Sequence, residues 1–252
     1  MTAFAVTLVL VFCGAFPRTV SAHPLGNFTI NHYTRLEIAP TQIQLYVVFD
    51  YAEIPTFQEK QTMDRNGDGT ISVDERADYL NAALGKITSN LTLEVDGKPA
   101  LLSPIPNSAQ LEFLPGQGGL EIMQIRARFT APLQIDGSPV SIQYRDDNYR
   151  ERLGWREIVA KPSADVMLVQ SNVRDTETSD ELRNYPQDLL SNPLNDRAAA
   201  LTVSRGASEL SKAPNAAALN QNSFILIALI VALVAVLLVS GLLILRRKPN
   251  AR

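Results

Sequence analysis

The chain has 252 residues, 46% of them hydrophobic, and its 26 acidic residues outnumber its 23 basic ones for a net charge of −3. This composition is too apolar for a disordered chain and too acidic for a nucleic-acid binder, so nucleic acid is not expected as a partner. A single cysteine, Cys13, excludes a framework of intrachain disulfides.

The first 22 residues are apolar and end in Val20-Ser21-Ala22. Small residues at the third and first positions before a cut are a signal-peptidase pattern, so residues 1–22 read as a signal peptide and His23 as the new N-terminus. Residues 23–200 read as a β-rich ectodomain. Asn27–Ile38 alternates apolar and polar positions, Pro40-Thr41 turns the chain, and Ile43–Phe49 reads as the hairpin partner. Residues 54–88 interrupt the strands with a helix–loop–helix pattern. Strand signals resume at Leu91–Val95, with Asp96-Gly97 as a tight turn. They continue through Leu111–Leu114, Leu120–Phe129, Val140–Tyr144, Trp155–Val159 and Val166–Gln170. The stretch Tyr144–Trp155 mixes aromatics with charges of both signs and reads as an exposed hairpin, with a partner-binding surface as the alternative. After Asn172 the periodicity fades into an irregular cover, and residues 201–222 read as a flexible stalk.

Residues 223–245 read as a transmembrane helix. Phe224–Leu245 is uninterrupted by charge and gives about 33 Å of helix, enough to cross a bilayer. Arg246, Arg247 and Lys248 follow in the tail, 246–252, and mark it as cytoplasmic. Both ends therefore place the ectodomain outside the cytoplasm, periplasmic or extracellular, on a single-pass anchor in the cell membrane. The ends hold five bases (Arg18, Arg246, Arg247, Lys248 and Arg252) and no acid, so the ectodomain is more acidic than the whole chain and suits cations. The expected fold is mainly β, an antiparallel sandwich-like ectodomain with an inserted helix–calcium loop–helix and one C-terminal membrane helix.

The insertion carries "MDRNGDGTISVDE" at residues 63–75. Calcium takes six to eight oxygen ligands, and a twelve-residue loop supplies them at fixed offsets. Asp64, Asn66 and Asp68 stand at positions 1, 3 and 5, Gly69 at the turn position 6, and Thr70 at position 7, where the backbone carbonyl serves. Ser72 at position 9 acts through water and Glu75 at position 12 with both oxygens. Thr56 and Glu59 form a T-x-x-E capping box for a short entering helix. The exit helix is expected from Asp74 to about Leu84, with Gly85 as its stop. This segment resembles the EF-hand family, which implies those ligand roles for Ca²⁺. No second loop accompanies it, so the opening of paired sensor loops is not expected.

His23 and His32 are the two histidines. A terminal histidine chelates through its α-amine and imidazole, and His32 could complete a transition-metal site for Ni²⁺, Co²⁺ or Cu²⁺. The plainer alternative makes His23 merely the start of the mature chain and His32 a half-buried strand residue. "HPLGNFTINHYTRLEI", "YAEIPTFQEK", "YRDDNYRERLGWREIV" and "YPQDLLSNPL" are similar to the exported N-terminal region of bacterial high-affinity nickel/cobalt transporter proteins. That resemblance implies a β-rich domain working beside a metal permease. With one span and without histidine-rich helices, this chain is not expected to be a permease by itself. No nucleophile elbow, zinc-protease helix or phosphate loop is present, and no enzyme activity is expected. The reading is a membrane-anchored, exported calcium-binding protein, an accessory to nickel/cobalt transport. The alternative is a cell-surface interaction module with a structural calcium site.

Overall fold

Alternation of apolar residues sets the first hairpin. In the computed structural model, which describes residues 25–206, β1 (Ile30–Ala39) and β2 (Gln42–Tyr51) pair antiparallel from Ala39↔Gln42 to Ile30↔Tyr51 across the Pro40-Thr41 turn. Ile43, Leu45, Val47, Phe49 and Tyr51 recur at every second position of β2 and all point into the core. The chain then leaves the sheet through α1 (Glu53–Met63) and α2 (Val73–Ser89). It returns as β3 (Leu91–Val95), β4 (Lys98–Pro99), β5 (Ser103–Pro104), β6 (Gln110–Pro115) and β7 (Glu121–Pro132). The last four strands are β8 (Val140–Asp146), β9 (Arg156–Pro162), β10 (Val166–Ser171) and β11 (Ala198–Arg205).

The protein is mainly β, with two antiparallel-rich sheets. One runs β5-β7-β2-β1-β9, with β6 also on β7, and the other runs β10-β11-β8-β3-β4. Leu36, Leu45 and Ile125 of the first sheet join Leu93, Ile142 and Leu201 of the second in one apolar cluster. In β8 the alternation is strict: Val140, Ile142 and Tyr144 are buried while the residues between them face solvent. The first sheet is also covered on its far side. There Tyr33, Val48, Trp155 and Val159 pack with Leu182, and Tyr185, Leu189 and Leu194 lean against them. The irregular stretch after Asn172 is thus a lid over the β1–β9 side of the sheet.

Four expectations need correction. The β1–β9 pair is parallel, with His32 opposite Arg156, because the intervening chain is long enough for a crossover that strand patterns alone do not encode. Ala198–Arg205 is a strand between β10 and β8 rather than cover and the start of a stalk; its small residues hid an alternation of Ala199, Leu201 and Val203 into the core. Gly85 lies inside α2, which runs on to Ser89, since Ala83 and Ile87 continue its buried face. The stretch Tyr144–Trp155 is no exposed hairpin: Tyr144 and Trp155 are fully buried, although Leu153 is exposed. The expected signal peptide (1–22), His23, residues 207–222 of the stalk, the span (223–245) and the tail (246–252) lie outside the described residues. Among the described residues no helix is long and apolar enough to cross a membrane.

Candidate functional site: an acidic loop and a buried polar network

The loop between α1 and α2 begins where α1 runs out of helical hydrogen bonds. The Asp64 N–H donates to the Lys60 carbonyl, and then the backbone leaves the helix. Asp64 folds the next turn onto itself. Its Oδ1 accepts from the N–H of Gly67 (2.8 Å) and Asp68 (3.1 Å), and its Oδ2 from Gly69 (2.8 Å). Asn66 Oδ1 accepts from the Asp68 N–H at 2.9 Å, and Asp68 Oδ1 from the Thr70 N–H at 2.7 Å. Gly69 sits at φ 81°, a left-handed conformation that side-chain-bearing residues rarely adopt, which is why glycine is needed at the sixth position. Ile71 tucks against the main core and fixes the loop's exit.

Ser72 and Glu75 then start α2 with a reciprocal capping box. Glu75 Oε2 accepts from the Ser72 N–H (3.0 Å) and hydroxyl (2.8 Å). Its Oε1 reaches back across the loop to the N–H of Arg65 (3.0 Å) and Asn66 (3.4 Å). The Ser72 backbone and hydroxyl donors, followed by those of Arg65 and Asn66, hold the Glu75 carboxyl below the usual carboxylate range. The box expected at Thr56/Glu59 does not form. α1 starts three residues before Thr56, whose hydroxyl donates to the Tyr51 carbonyl at 2.9 Å, while Glu59 accepts from the Tyr79 hydroxyl at 2.7 Å and ties α1 to α2.

The six expected calcium ligands thus fall on one short loop. In this conformation Asp64, Asn66, Asp68 and Glu75 each turn at least one side-chain oxygen onto a backbone N–H. Among the described residues no three His, Cys, Asp or Glu side chains stand together in a group able to hold a metal. The donor set is nonetheless hard oxygen throughout, the chemistry calcium requires. The loop would have to release Glu75 from its four donors before both carboxylate oxygens faced an ion.

His32 lies elsewhere, and it is fully buried rather than half-buried, at 3% exposure. Its Nδ1 is 2.6 Å from Asp146 Oδ2, and because an ionised carboxylate only accepts, Nδ1 carries the N–H. Nε2 is then the acceptor nitrogen. It is buried without a hydrogen-bond partner, with the Phe49 and Tyr149 rings packed edge-on around the imidazole. Burial holds the His32 pKa below its ordinary value, outweighing the pull of Asp146. Burial would raise Asp146, but the His32 and Asn148 hydrogen bonds win and keep it below the usual range. Arg156, opposite His32 in the parallel pair and 1% exposed, donates to the carbonyls of Asn148 (2.9 Å) and Tyr149 (2.8 Å) and stands 3.9 Å from Asp146.

A second arm of this network holds the lid. Asn31 Nδ2 donates to the Tyr185 hydroxyl (3.0 Å), and its Oδ1 accepts from the Trp155 N–H (2.8 Å). Glu157, 1% exposed, accepts from Trp155 Nε1 at 3.1 Å, from the N–H of Ser179 at 3.1 Å and from the Ser179 hydroxyl. All of these residues but Phe49 and Ser179 come from three of the four segments that carry the transporter resemblance, and here they meet inside the fold. Sequence reasoning missed all of them but His32. Asp146 and Asn148 fall in the stretch that reads as an exposed hairpin, because His32, the partner of Asp146, is 114 residues away. No protein-family model matches this chain, and no curated protein matches it.

Proposed function

We propose that residues 64–75 hold one calcium ion and that the chain is an exported, membrane-anchored calcium-binding β module. The observation that carries this reading is the wrapped loop. Asp64, Asn66 and Asp68 already gather the N–H groups of Gly67, Asp68, Gly69 and Thr70, so their carboxylate and amide oxygens are folded into one turn beside Glu75. The Thr70 carbonyl and Ser72 complete the donor set. The role is local: with Tyr79 and Glu59 bonded across the helices and Ile71 in the core, a bound ion would brace the α1–α2 insertion against the first sheet. Outside the cytoplasm, where extracellular modules bind calcium at about 10⁻⁴–10⁻³ M, such a site works as a structural clamp.

The link to nickel/cobalt transport is the resemblance's contribution. Most of the buried network lies in the segments that carry the resemblance, which supports a shared β domain and supplies no transport step of its own. The partner in this reading is a metal permease in the same membrane. Isothermal titration of the whole chain in detergent should show one calcium per chain. The absence of calcium heat would overturn the calcium reading. Failure to co-purify a divalent-metal permease from native membranes would overturn the transport reading alone.

A further inference from the structure

Beside the acidic loop, between α1 and the turn joining β6 to β7, lies a cavity of about 490 Å³, within the range of small-ligand sites. Glu53, at 0% exposure, lines it. Its Oε1 accepts from the Gln117 N–H at 2.9 Å, and Gly116 permits this seat, since a Cβ there would stand 3.0 Å from Oε1. Its Oε2 is buried and has no hydrogen-bond partner. An acceptor left so in a folded protein is a liability unless something donates to it.

The neighbouring charges do not relieve it. Lys60 also lines the cavity, but its ammonium is committed to Glu121 Oε2 at 2.5 Å and lies over the Phe113 ring. Asp64 adds a second carboxylate to the wall. Phe57 and Leu120 also line the cavity and are 54% and 42% exposed, so its wall offers apolar surface to a ligand. A bare divalent cation is a poor match for this wall, because it wants six or more oxygens and the cavity offers one buried carboxylate oxygen without a partner. From these residues we infer that the cavity is a binding site for an organic cation, an ammonium or guanidinium on an apolar body, whose charge meets Glu53 and whose body lies between Phe57 and Leu120. This inference does not rest on calcium binding. Asp64 borders both features, so one calcium concentration is kept throughout its test.

The test is calorimetry on the whole chain in detergent, with empty micelles subtracted. Benzylammonium is the free-amine probe, acetyl-Gly-Lys-Gly-amide the peptide probe and benzyl alcohol the neutral isostere. At least one cation should bind saturably, and benzylammonium about tenfold or more tighter than benzyl alcohol, the weight of a charge-assisted hydrogen bond. Tighter binding of the peptide identifies a lysine side chain of another protein as the occupant, and the reverse order identifies a free amine. Glu53→Gln keeps an oxygen for the Gln117 N–H and should lose that preference. Phe57→Ala alters an exposed ring and should weaken binding without moving the melting temperature, which keeps the test decisive if Glu53→Gln does not fold. Equal affinity for alcohol and ammonium, unchanged cation affinity in both variants, or no saturable binding of either cation would overturn the inference.

Discussion

Removing the Asp146 carboxylate should be among the most damaging single changes in this fold. Asp146 is 3% exposed and accepts three hydrogen bonds, from His32 Nδ1 at 2.6 Å, the Asn148 N–H at 2.8 Å and Asn148 Nδ2 at 2.9 Å. It is also the anion that faces the buried Arg156 guanidinium at 3.9 Å. Asp146→Ala leaves that guanidinium with two carbonyl acceptors and no carboxylate within 4 Å among the described residues. Breaking a buried pair from one side costs about 3–5 kcal/mol. A domain of this size loses about 2–4 °C of melting temperature per kcal/mol, so the expected fall is about 6–20 °C. Arg156→Met should cost a similar amount, because it strands the carboxylate instead. The double variant Asp146→Ala/Arg156→Met buries neither charge, and its loss should fall short of the sum of the singles by about 2 kcal/mol or more. Urea denaturation of the four proteins closes the cycle. Additive losses, or an Asp146→Ala loss within about 1 kcal/mol of zero, would refute the claim that the pair acts as one buried unit.

The same network makes stability sensitive to acid. Burial holds His32 below its ordinary pKa, so near pH 6.5 the unfolded chain takes up a proton that the folded chain does not. Stability is therefore present in full above that pH and falls with acidification, by up to about 1.4 kcal/mol per pH unit. Denaturant midpoints between about pH 7 and about pH 5 should show that slope in the native protein and a shallower one in His32→Leu; equal slopes contradict the assignment. Two glycines should respond with opposite signs. In Gly154→Ala the new Cβ would stand 2.2 Å from the Ile30 carbonyl oxygen, which forces β1 and the chain before β9 apart at a cost of about 1–3 kcal/mol, readable as a lower melting temperature. Gly85→Ala meets nothing within 4 Å inside α2 and should stabilise by about 0.5–1 kcal/mol. A protease added to intact spheroplasts should remove everything before Phe224, and an ectodomain protected there contradicts the proposed orientation.

Local patterns carried much of the fold in the sequence, and distant pairings carried the rest. The β1–β2 hairpin, β3, β7 and β8 were legible because alternate apolar residues of each enter the main core. β11 was not, because three of its first four residues are alanines that read equally well as a linker. The parallel β1–β9 pair and the buried polar network were hidden for a further reason. Asn31, His32, Asp146, Arg156 and Tyr185 are ordinary polar residues until the fold brings them together, and the bonds Asn31–Tyr185 and His32–Asp146 join residues 154 and 114 positions apart. The acidic loop shows the opposite case. Its glycines and carboxylates stand at fixed local offsets, and the structure puts Gly69 in the left-handed turn that the spacing requires. The spacing also contained a second signal, Ser72 and Glu75 as a capping box, which ligand assignment alone had passed over.

That overlap makes thermal unfolding with and without calcium the most direct measurement of the central claim. Glu75 is both the cap of α2 and the expected bidentate ligand, so Glu75→Gln will lower the melting temperature even without calcium, and only the increment on adding calcium is diagnostic. The native chain, first stripped with a chelator, should gain about 2.7 kcal/mol at a hundredfold excess of calcium over the dissociation constant. Glu75→Gln at the same calcium concentration should gain little, and magnesium should not substitute in the native chain, because its smaller, octahedral shell keeps its waters. A native chain whose melting temperature is unmoved by calcium, or a Glu75→Gln variant that gains as much as the native chain, would contradict the account.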